Sequence, residues 1–401
     1  VDETGGEFST QIYNDYARTS LVAHTANYSS NGAKALIADN GSGLGGTISL
    51  ASYSTPTDSV YVEFYQYGIV LDVSETFTPS SLTSLGAWYE AVDETAYLTK
   101  ATQPTLANGT FAADASWTKG SGWTIGSGVA SFDAASAANL SQSCGMVTDN
   151  RIQITYDIPA LTDGGCKAYL GAGTALTQRT TTGTFTETGN ATSATLYMQG
   201  SDGGTFSIDN VVLSNLSRTT WIPTDGYYAA NLTQATAAKQ PWFNSDVGGL
   251  TFGGDGLESA ALVLEQPYHI FIVAHPIATG ANGSMIDGFA SNSAKMYVNS
   301  TSTTFGIYAG TSVTMACSNN TKQIFEGVFN GASSKLAING GAFTTGNVGA
   351  ANANGLTIGI NGDGSAEPFG GHIFEVIVCT EELSAENRAL MNKYLTVKHL
   401  T

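Results

Sequence analysis

Charge is what this sequence has least of. Only 12% of its 401 residues are Asp, Glu, Lys or Arg, against about a quarter in ordinary soluble proteins. Just 15 are Lys or Arg, and the net charge is −18. Without clustered basic residues there is nothing to neutralise phosphates, so nucleic acid is excluded as a partner. The same balance disfavours docking to an anionic membrane, and no apolar run reaches the roughly eighteen residues of a spanning helix. Helical periodicity is nearly absent before residue 383. Chemical signatures are missing too: there is no HExxH, no G-x-S-x-G elbow and no P-loop. His24, His269, His275, His372 and His399 show no metal-ligand spacing. His269 and His275, in a strand-like segment, read as satisfied or edge histidines. The expectation is a chain that is not an enzyme.

Cysteine is sparse, at four residues. Cys144 and Cys166 fall in the middle of the chain, Cys317 and Cys379 near its end. Two readings stand open: a disulfide within each couple, as an oxidising extracellular setting allows, or small buried thiols. Glycine is abundant at 47 residues, hydrophobic content is 42% and aromatic content 10%. That mixture argues against disorder and for many short strands joined by tight turns. The length fits two or three domains. A first residue of Val1 leaves open whether a leader precedes it.

The last thirty residues carry the clearest pattern. Gly370–Cys379 reads as a strand that alternates Ile373, Glu375, Ile377 against Phe374, Val376, Val378. Leu383 to Leu400 reads as a helix with Leu383, Leu390, Tyr394, Val397 and Leu400 on one stripe and Ser384 as N-cap. Gly371, Ile373, Glu375, Val376, Ile377, Val378, Leu383, Ser384, Glu386, Arg388, Tyr394, Leu395 and Lys398 together resemble the ending "G-x-I-x-E-V-I-V … L-S-x-E-x-R … Y-L-x-x-K" of concanavalin A-like (laminin-G-like) jelly-roll domains of the kind found in phage structural proteins. Ser81 to Asp93, with Leu82, Leu85, Trp88, Tyr89, Ala91 and Asp93, resembles the opening of such a domain. Its continuation resembles Gln234–Phe243 followed by Leu250–Asp255. The resemblance implies an all-β, antiparallel β-sandwich chain with one C-terminal α-helix. That fold hosts lectins, hydrolases and inert modules alike.

Opening and continuation are separated by an unrelated block, so residues 104–218 are expected to form a domain inserted into an outer jelly roll of residues 81–103 plus 219–401. Asn108-Gly109-Thr110-Phe111, Trp117, Gly122-Trp123 and Phe206–Leu213 resemble the frame of carbohydrate-binding-module jelly rolls. Between them, strand-like runs occupy Arg151–Ile158, Cys166–Gly171, Gly183–Glu187 and Ala194–Gln199. Residues 1–80 read as a β-rich region or an arm: Val60–Phe64 alternates as a strand, Gly41–Gly46 is turn-rich, and Tyr28–Leu36 resembles the start of a small β domain.

Enzymes that cleave glycans with retention hold two carboxylates about 5 Å apart. Asp72–Glu75, Glu90–Glu94 and Glu381-Glu382 have the wrong spacing for that or lie in a turn. Sugars are instead held by aromatic faces helped by amides. Trp117, Trp123, Tyr197 and Gln199 are the candidate glycan contacts, each tryptophan being equally open to a place in the core. Trp88 and Trp242 read as core, and Tyr227 and Tyr228 fit either role. The module resemblance implies a structural calcium at Asp209 near the Asn108 turn, a turn cap being the other reading of Asp209; the loop Asn361-Gly362-Asp363-Gly364 offers a weaker site at Asp363, its Asp-Gly pair mainly signalling a tight turn. The function expected is a non-enzymatic structural or adhesion protein, multicopy or homo-oligomeric, on a virion or extracellular surface (capsid decoration, fibre or tail). Its partners would be other surface-assembly proteins and glycans. A secreted glycan-degrading enzyme or its binding accessory, and a purely architectural subunit, are the alternatives.

Overall fold

The computed structural model describes residues 77–93, 96–173, 175–228, 230–277, 282–289 and 291–401, together with the backbone of five earlier strands. The chain divides into two compact units, Val1–Ser81 and Leu82–Thr401. In the first, His24–Tyr28, Ala33–Asp39 and Gly46–Ala51 form an antiparallel three-stranded sheet, and Val60–Phe64 pairs with Ile69–Val73. The strand expected at Val60–Phe64 is therefore present. Its side chains lie outside the described residues, as do residues 1–23 and, of the turn-rich Gly41–Gly46, all but Gly46.

The second unit holds two antiparallel sandwiches with separate cores, and the all-β reading holds throughout. The larger packs a nine-stranded sheet against an eight-stranded one. At the centre of the eight-stranded sheet lies Gly370–Cys379, flanked on one side by Tyr268–Pro276. Its other edge is shared end to end: Gly249–Gly253 pairs with residues 370–373 and Leu85–Glu90 with residues 375–379. The simple alternation expected for Gly370–Cys379 is broken. Val273 faces Glu375 while Ala274 faces Ile373, so Phe374 is an extra residue, a β-bulge that reverses the parity. Ile373, Val376 and Val378 enter the core together, and Glu375 turns outward to the helix.

Glycine-separated strands between residues 118 and 215 build the smaller sandwich. Gly183–Asn190, Arg151–Asp163, Gly204–Asn215, Val129–Ala134 and Trp123–Gly126 form a five-stranded sheet; Cys166–Leu170, Thr195–Gly200, Ala138–Ser143 and Thr118–Lys119 form a four-stranded one. From Ala138 onward successive strands alternate between the sheets, the crossing pattern of a jelly roll. Among the described residues none of these strands pairs with a strand of the larger sandwich. Arg151–Asp163, Cys166–Leu170, Gly183–Asn190 and Thr195–Gly200 contain or closely match the strand-like runs of the sequence, and Gly204–Asn215 contains Phe206–Leu213, whereas Val129–Ala134 and Ala138–Ser143 were not expected.

Where the chain enters and leaves this smaller sandwich, buried amides tie the two bodies together. Asn215 is 1% exposed; its Nδ2 donates to Asn150 Oδ1 and to Thr102 O, each at 2.9 Å. Asn150, also 1% exposed, donates to Gln240 Oε1 at 2.9 Å. Gln103 bonds both the carbonyl and the amide of Asn215, and the Arg151 guanidinium sits 5.1 Å from the Trp242 ring. Buried polar groups with partners throughout fix a geometry that apolar contacts alone would leave loose.

The closing helix, Ala385–His399, is capped by Ser384, whose side chain accepts from Asn387 N. Its buried stripe differs from the one expected. Met391, Asn392 and Leu395 are covered, whereas Val397 is 61% exposed. Two buried carboxylates of the sheet set this rotation. Glu326, fully buried, receives Arg388 Nε at 2.5 Å and Nη2 at 2.8 Å, with His269 Nε2 at 3.0 Å. Glu375, equally buried, receives Trp88 Nε1 at 2.7 Å, Tyr394 Oη at 3.1 Å, Lys398 Nζ at 2.9 Å and His399 Nε2 at 2.6 Å. Burial alone would raise both acids; the hydrogen bonds from His269 and Arg388 at Glu326, and from His399 and Lys398 at Glu375, outweigh it and hold both below the usual carboxylate range. Glu375, Arg388, Tyr394 and Lys398 of the terminal motif are thus a helix clamp.

Candidate functional site

The four-stranded sheet of the smaller sandwich presents a polar-aromatic face to solvent. Its strands alternate strictly: Cys166, Ala168 and Leu170 enter the core while Lys167 and Tyr169 face out; Leu196 and Met198 enter while Thr195, Tyr197 and Gln199 face out. Register then assembles two rows. Tyr169 stands opposite Tyr197, which stands opposite Ser141 and then Thr118. Lys167 stands opposite Gln199, which stands opposite Asn139. Directly opposed side chains lie about 5 Å apart at Cβ, so the two tyrosines make one platform bordered by amide, hydroxyl and ammonium groups. Tyr169 Oη donates to Gln199 Oε1 at 3.0 Å, and Lys167 Nζ sits 6.0 Å from the Tyr169 ring centre. These contacts hold rings and amide in place before any ligand arrives.

A groove of about 500 Å³ begins beside this face, lined by Ala175, Thr177, Arg179, Thr186, Glu187 and Thr188 among others. The segment after Leu170 folds back along its own strand, bridging Tyr169 to Ala175 and Cys166 to Arg179. Glu187, 8% exposed, anchors that segment: it accepts Thr177 N at 2.9 Å and Tyr156 Oη at 3.2 Å, and pairs with Arg179 at 3.0 Å. Burial, followed by the nearby Glu187 carboxylate, pushes the Tyr156 phenol far above its usual range, so it stays a donor.

Of the residues expected to touch glycan, Tyr197 and Gln199 lie on this face, and Trp117 and Trp123 do not. Trp117 is 8% exposed and packs on Phe111; Trp123 is 4% exposed and packs between Phe132 and Phe206. Each indole N–H is already used, by Asn108 O and by Ala138 O, both at 3.0 Å. Burying an aromatic with its one donor satisfied is a core arrangement, which corrects the glycan role weighed for both. Gly200 makes room for that packing, since a Cβ there would stand 2.4 Å from the Phe132 ring. Sequence reading missed Tyr169, Lys167 and Asn139. The signal was the alternation of Cys166–Leu170, read for strand and not for which side chains it turns outward. Trp88 is buried, whereas Tyr227 is 85% and Tyr228 41% exposed.

The candidate calcium ligands are brought into no common site. Asp209 does sit near the Asn108 turn, because Val211 N donates to Gly109 O at 2.9 Å. Its Oδ1, however, accepts Asn210 N at 2.7 Å, and the Asn108 amide closes on Ala113 and Ala115. Asp363 is exposed and caps its own turn through Ser365 N at 2.9 Å. Among the described residues no three His, Cys, Asp or Glu side chains converge as metal ligands would. The cysteines are four thiols, which corrects the pairing weighed for them. Cys144 follows Ala138–Ser143 and Cys166 opens Cys166–Leu170, with Thr195–Gly200 between those strands and the two residues toward opposite ends of it. Two strand spacings are about 9.5 Å, beyond the roughly 7 Å that a disulfide bridges. Cys317 follows the edge strand of the nine-stranded sheet, and Cys379 ends the central strand of the opposing one. Burial pushes the Cys379 thiol up to about 12, which makes it inert.

No family model matches the chain, and no curated protein does. Among solved structures, it is similar to the CBM40 domain of the Ruminococcus gnavus IT-sialidase bound to α2,3-sialyllactose, with 17% identity, 32% of this chain and 83% of that one covered, and a TM-score of 0.27. Domain 4 of the extracellular arabinanase AbnA of Geobacillus stearothermophilus, in complex with arabinotriose, shows 16% identity over 39% of this chain and 80% of that one, with a TM-score of 0.30. A Trypanosoma rangeli sialidase shows 9% identity over 46% and 32%, with a TM-score of 0.32. Superpositions this loose transfer neither a site nor an activity, so function has to be argued from the face itself.

Proposed function

We propose that this chain is a non-enzymatic glycan-binding protein that takes sugar on the outward face of its four-stranded sheet, at Tyr169, Tyr197, Gln199, Asn139 and Lys167. The observation that carries the reading is the register that sets two tyrosines side by side with amides and an ammonium around them. A pyranose offers an apolar C–H face and a rim of hydroxyls, which such a surface matches. Among the described residues three carboxylates are fully buried: Glu326 and Glu375 hold the helix, and Asp287 accepts the backbone N–H groups of Gly288, Ser293 and Gly362, which supports binding without turnover. Scarce charge, compact sandwiches and the resemblance of the terminal motif to phage domain ends support a place on a virion or other extracellular surface. Many copies there would multiply weak contacts by avidity.

The test is a glycan array probed with multivalently displayed protein, in calcium and again in chelator. Selective binding is expected in both buffers, because the face draws on no metal. Tyr197→Ala and Gln199→Ala should each abolish the binding of the glycans this face takes, while leaving the melting temperature nearly unchanged. A blank array, or binding that both substitutions leave intact, overturns the reading.

A further inference from the structure

The larger sandwich repeats the local arrangement of that face on a different framework. Lys167-Ala168-Tyr169 turns a lysine and a tyrosine outward from a strand whose alternate residues enter a core. Lys295-Met296-Tyr297 does the same on Ser291–Asn299, with Ala294, Met296 and Val298 in the core of the larger sandwich. A second tyrosine again comes from the neighbouring strand: Tyr308 stands opposite Lys295, and Gly306 opposite Tyr297. Lys295 Nζ lies 5.9 Å from the Tyr297 ring centre and 5.4 Å from that of Tyr308. The two cores share no residue, so packing in one body did not dictate the pattern in the other.

Three features set this second patch apart from an ordinary sheet surface. Lys295 is only 8% exposed, and its ammonium is met at 2.5 Å by Glu367, which also accepts Ser284 Oγ at 3.3 Å. A pair this covered contributes little net stability. Glu367 has a φ of +52°, the left-handed region that a non-glycine residue enters only under constraint from its surroundings. Gly306 leaves the space in which the Tyr297 ring lies, since a Cβ there would stand 2.5 Å from the ring. The fold thus accepts a strained residue and a covered ion pair to place donors and an acceptor beside two half-buried tyrosines.

We propose that the outward face of the nine-stranded sheet, at Lys295, Tyr297, Tyr308 and Glu367, is a second saccharide-binding site, which makes each chain bivalent. The Lys295–Glu367 pair is neutral as a unit, so the site takes a neutral pyranose, stacked on the tyrosines and bonded through its hydroxyls. Only the class of ligand rests on the reading of the first face.

The test uses the full chain, biotinylated and tetramerised on streptavidin, on a printed array of neutral and acidic oligosaccharides. Variants are Tyr297→Ala, Tyr197→Ala, and Gly306→Ala, which displaces the Tyr297 ring without deleting a functional group. Glu367→Gln, which keeps the side chain's shape, replaces any outer variant that fails a melting check. Signals from a set of neutral glycans should fall about tenfold or more, equivalent to about 1.4 kcal/mol, in Tyr297→Ala and Gly306→Ala, and remain in Tyr197→Ala. Folded outer variants with an unchanged array overturn the second site and leave the first. Loss in the outer variants with no glycan lost in Tyr197→Ala overturns the first and leaves the second, and a blank wild-type array overturns both.

Discussion

Asp255 shows how one side chain can work against the fold at neutral pH. Burial raises its carboxyl to about 6, opposed only by the hydrogen bond from Gly253 N. A folded-state pKa above the unfolded value means that the native state binds the proton first. Stability therefore falls as pH rises from about 4 through 6, and the penalty is complete at pH 7. Asp255→Asn keeps the acceptor and removes the charge. It should stabilise the protein by about 1–3 kcal/mol at pH 7 and make no difference below about pH 4; chemical denaturation at the two pH values measures both. Equal stability of variant and parent at pH 7 would show that water reaches the carboxylate. The tryptophans and tyrosines of the smaller sandwich carry the complementary lesson. Trp123 and Tyr197 are equally plausible sugar contacts as residue types, and only strand parity separates the one that enters the core from the one that leaves it.

The closing helix is an element held by charge as much as by apolar contact. Glu326 and Glu375 have folded-state pKa values below the ordinary range, so their contribution is present above the unfolded pKa and is lost as pH falls through the folded one. Removing one partner leaves a buried charge unmet. Arg388→Ala should therefore cost about 3–5 kcal/mol, and Glu326→Gln in the same chain should recover part of it; a double-mutant cycle by urea denaturation reads the coupling. No recovery would mean that Arg388 acts through its stacking on Phe343, 3.9 Å away. The sequence made this element legible in kind and in boundaries: Leu383–Leu400 was expected and Ala385–His399 is found. The rotation was not legible, because hydrophobic periodicity weighs Val397 and Leu390 above Arg388 and Asn392. Buried carboxylates on another strand invert that ranking. The bulge at Phe374 escaped for a related reason, since one extra residue in a continuous apolar run leaves no mark on composition. The runs Arg151–Ile158 and Thr195–Gly200 were legible because burial alternates residue by residue along them.

At the scale of the molecule, the joint between the two sandwiches decides how separable they are. Each has its own core, yet Asn150, Asn215 and Gln240 share one chain of amide bonds. We expect residues 104–215 to fold alone, with a cooperative melt and near-ultraviolet dichroism from Trp123. The chain lacking 104–215, closed by a short linker, should also fold but lose about 1–3 kcal/mol, because Gln240 is left without its partner. Aggregation of either piece would show that the two bodies fold as one.

The shared edge of the central strand reaches further than stability. Trp88, near the start of the larger sandwich, bonds Glu375, 287 residues later, and Leu85–Glu90 pairs on one edge with Gly370–Cys379 while residues 224–228 bridge the other. A chain emerging from the ribosome at about 5–20 residues per second must therefore carry that strand with one edge open until residues 375–379 are made. The residues from 104 to 215 can complete their own sandwich during that wait. Synthesis order then favours the guest over the host, and the host closes around a module that is already finished.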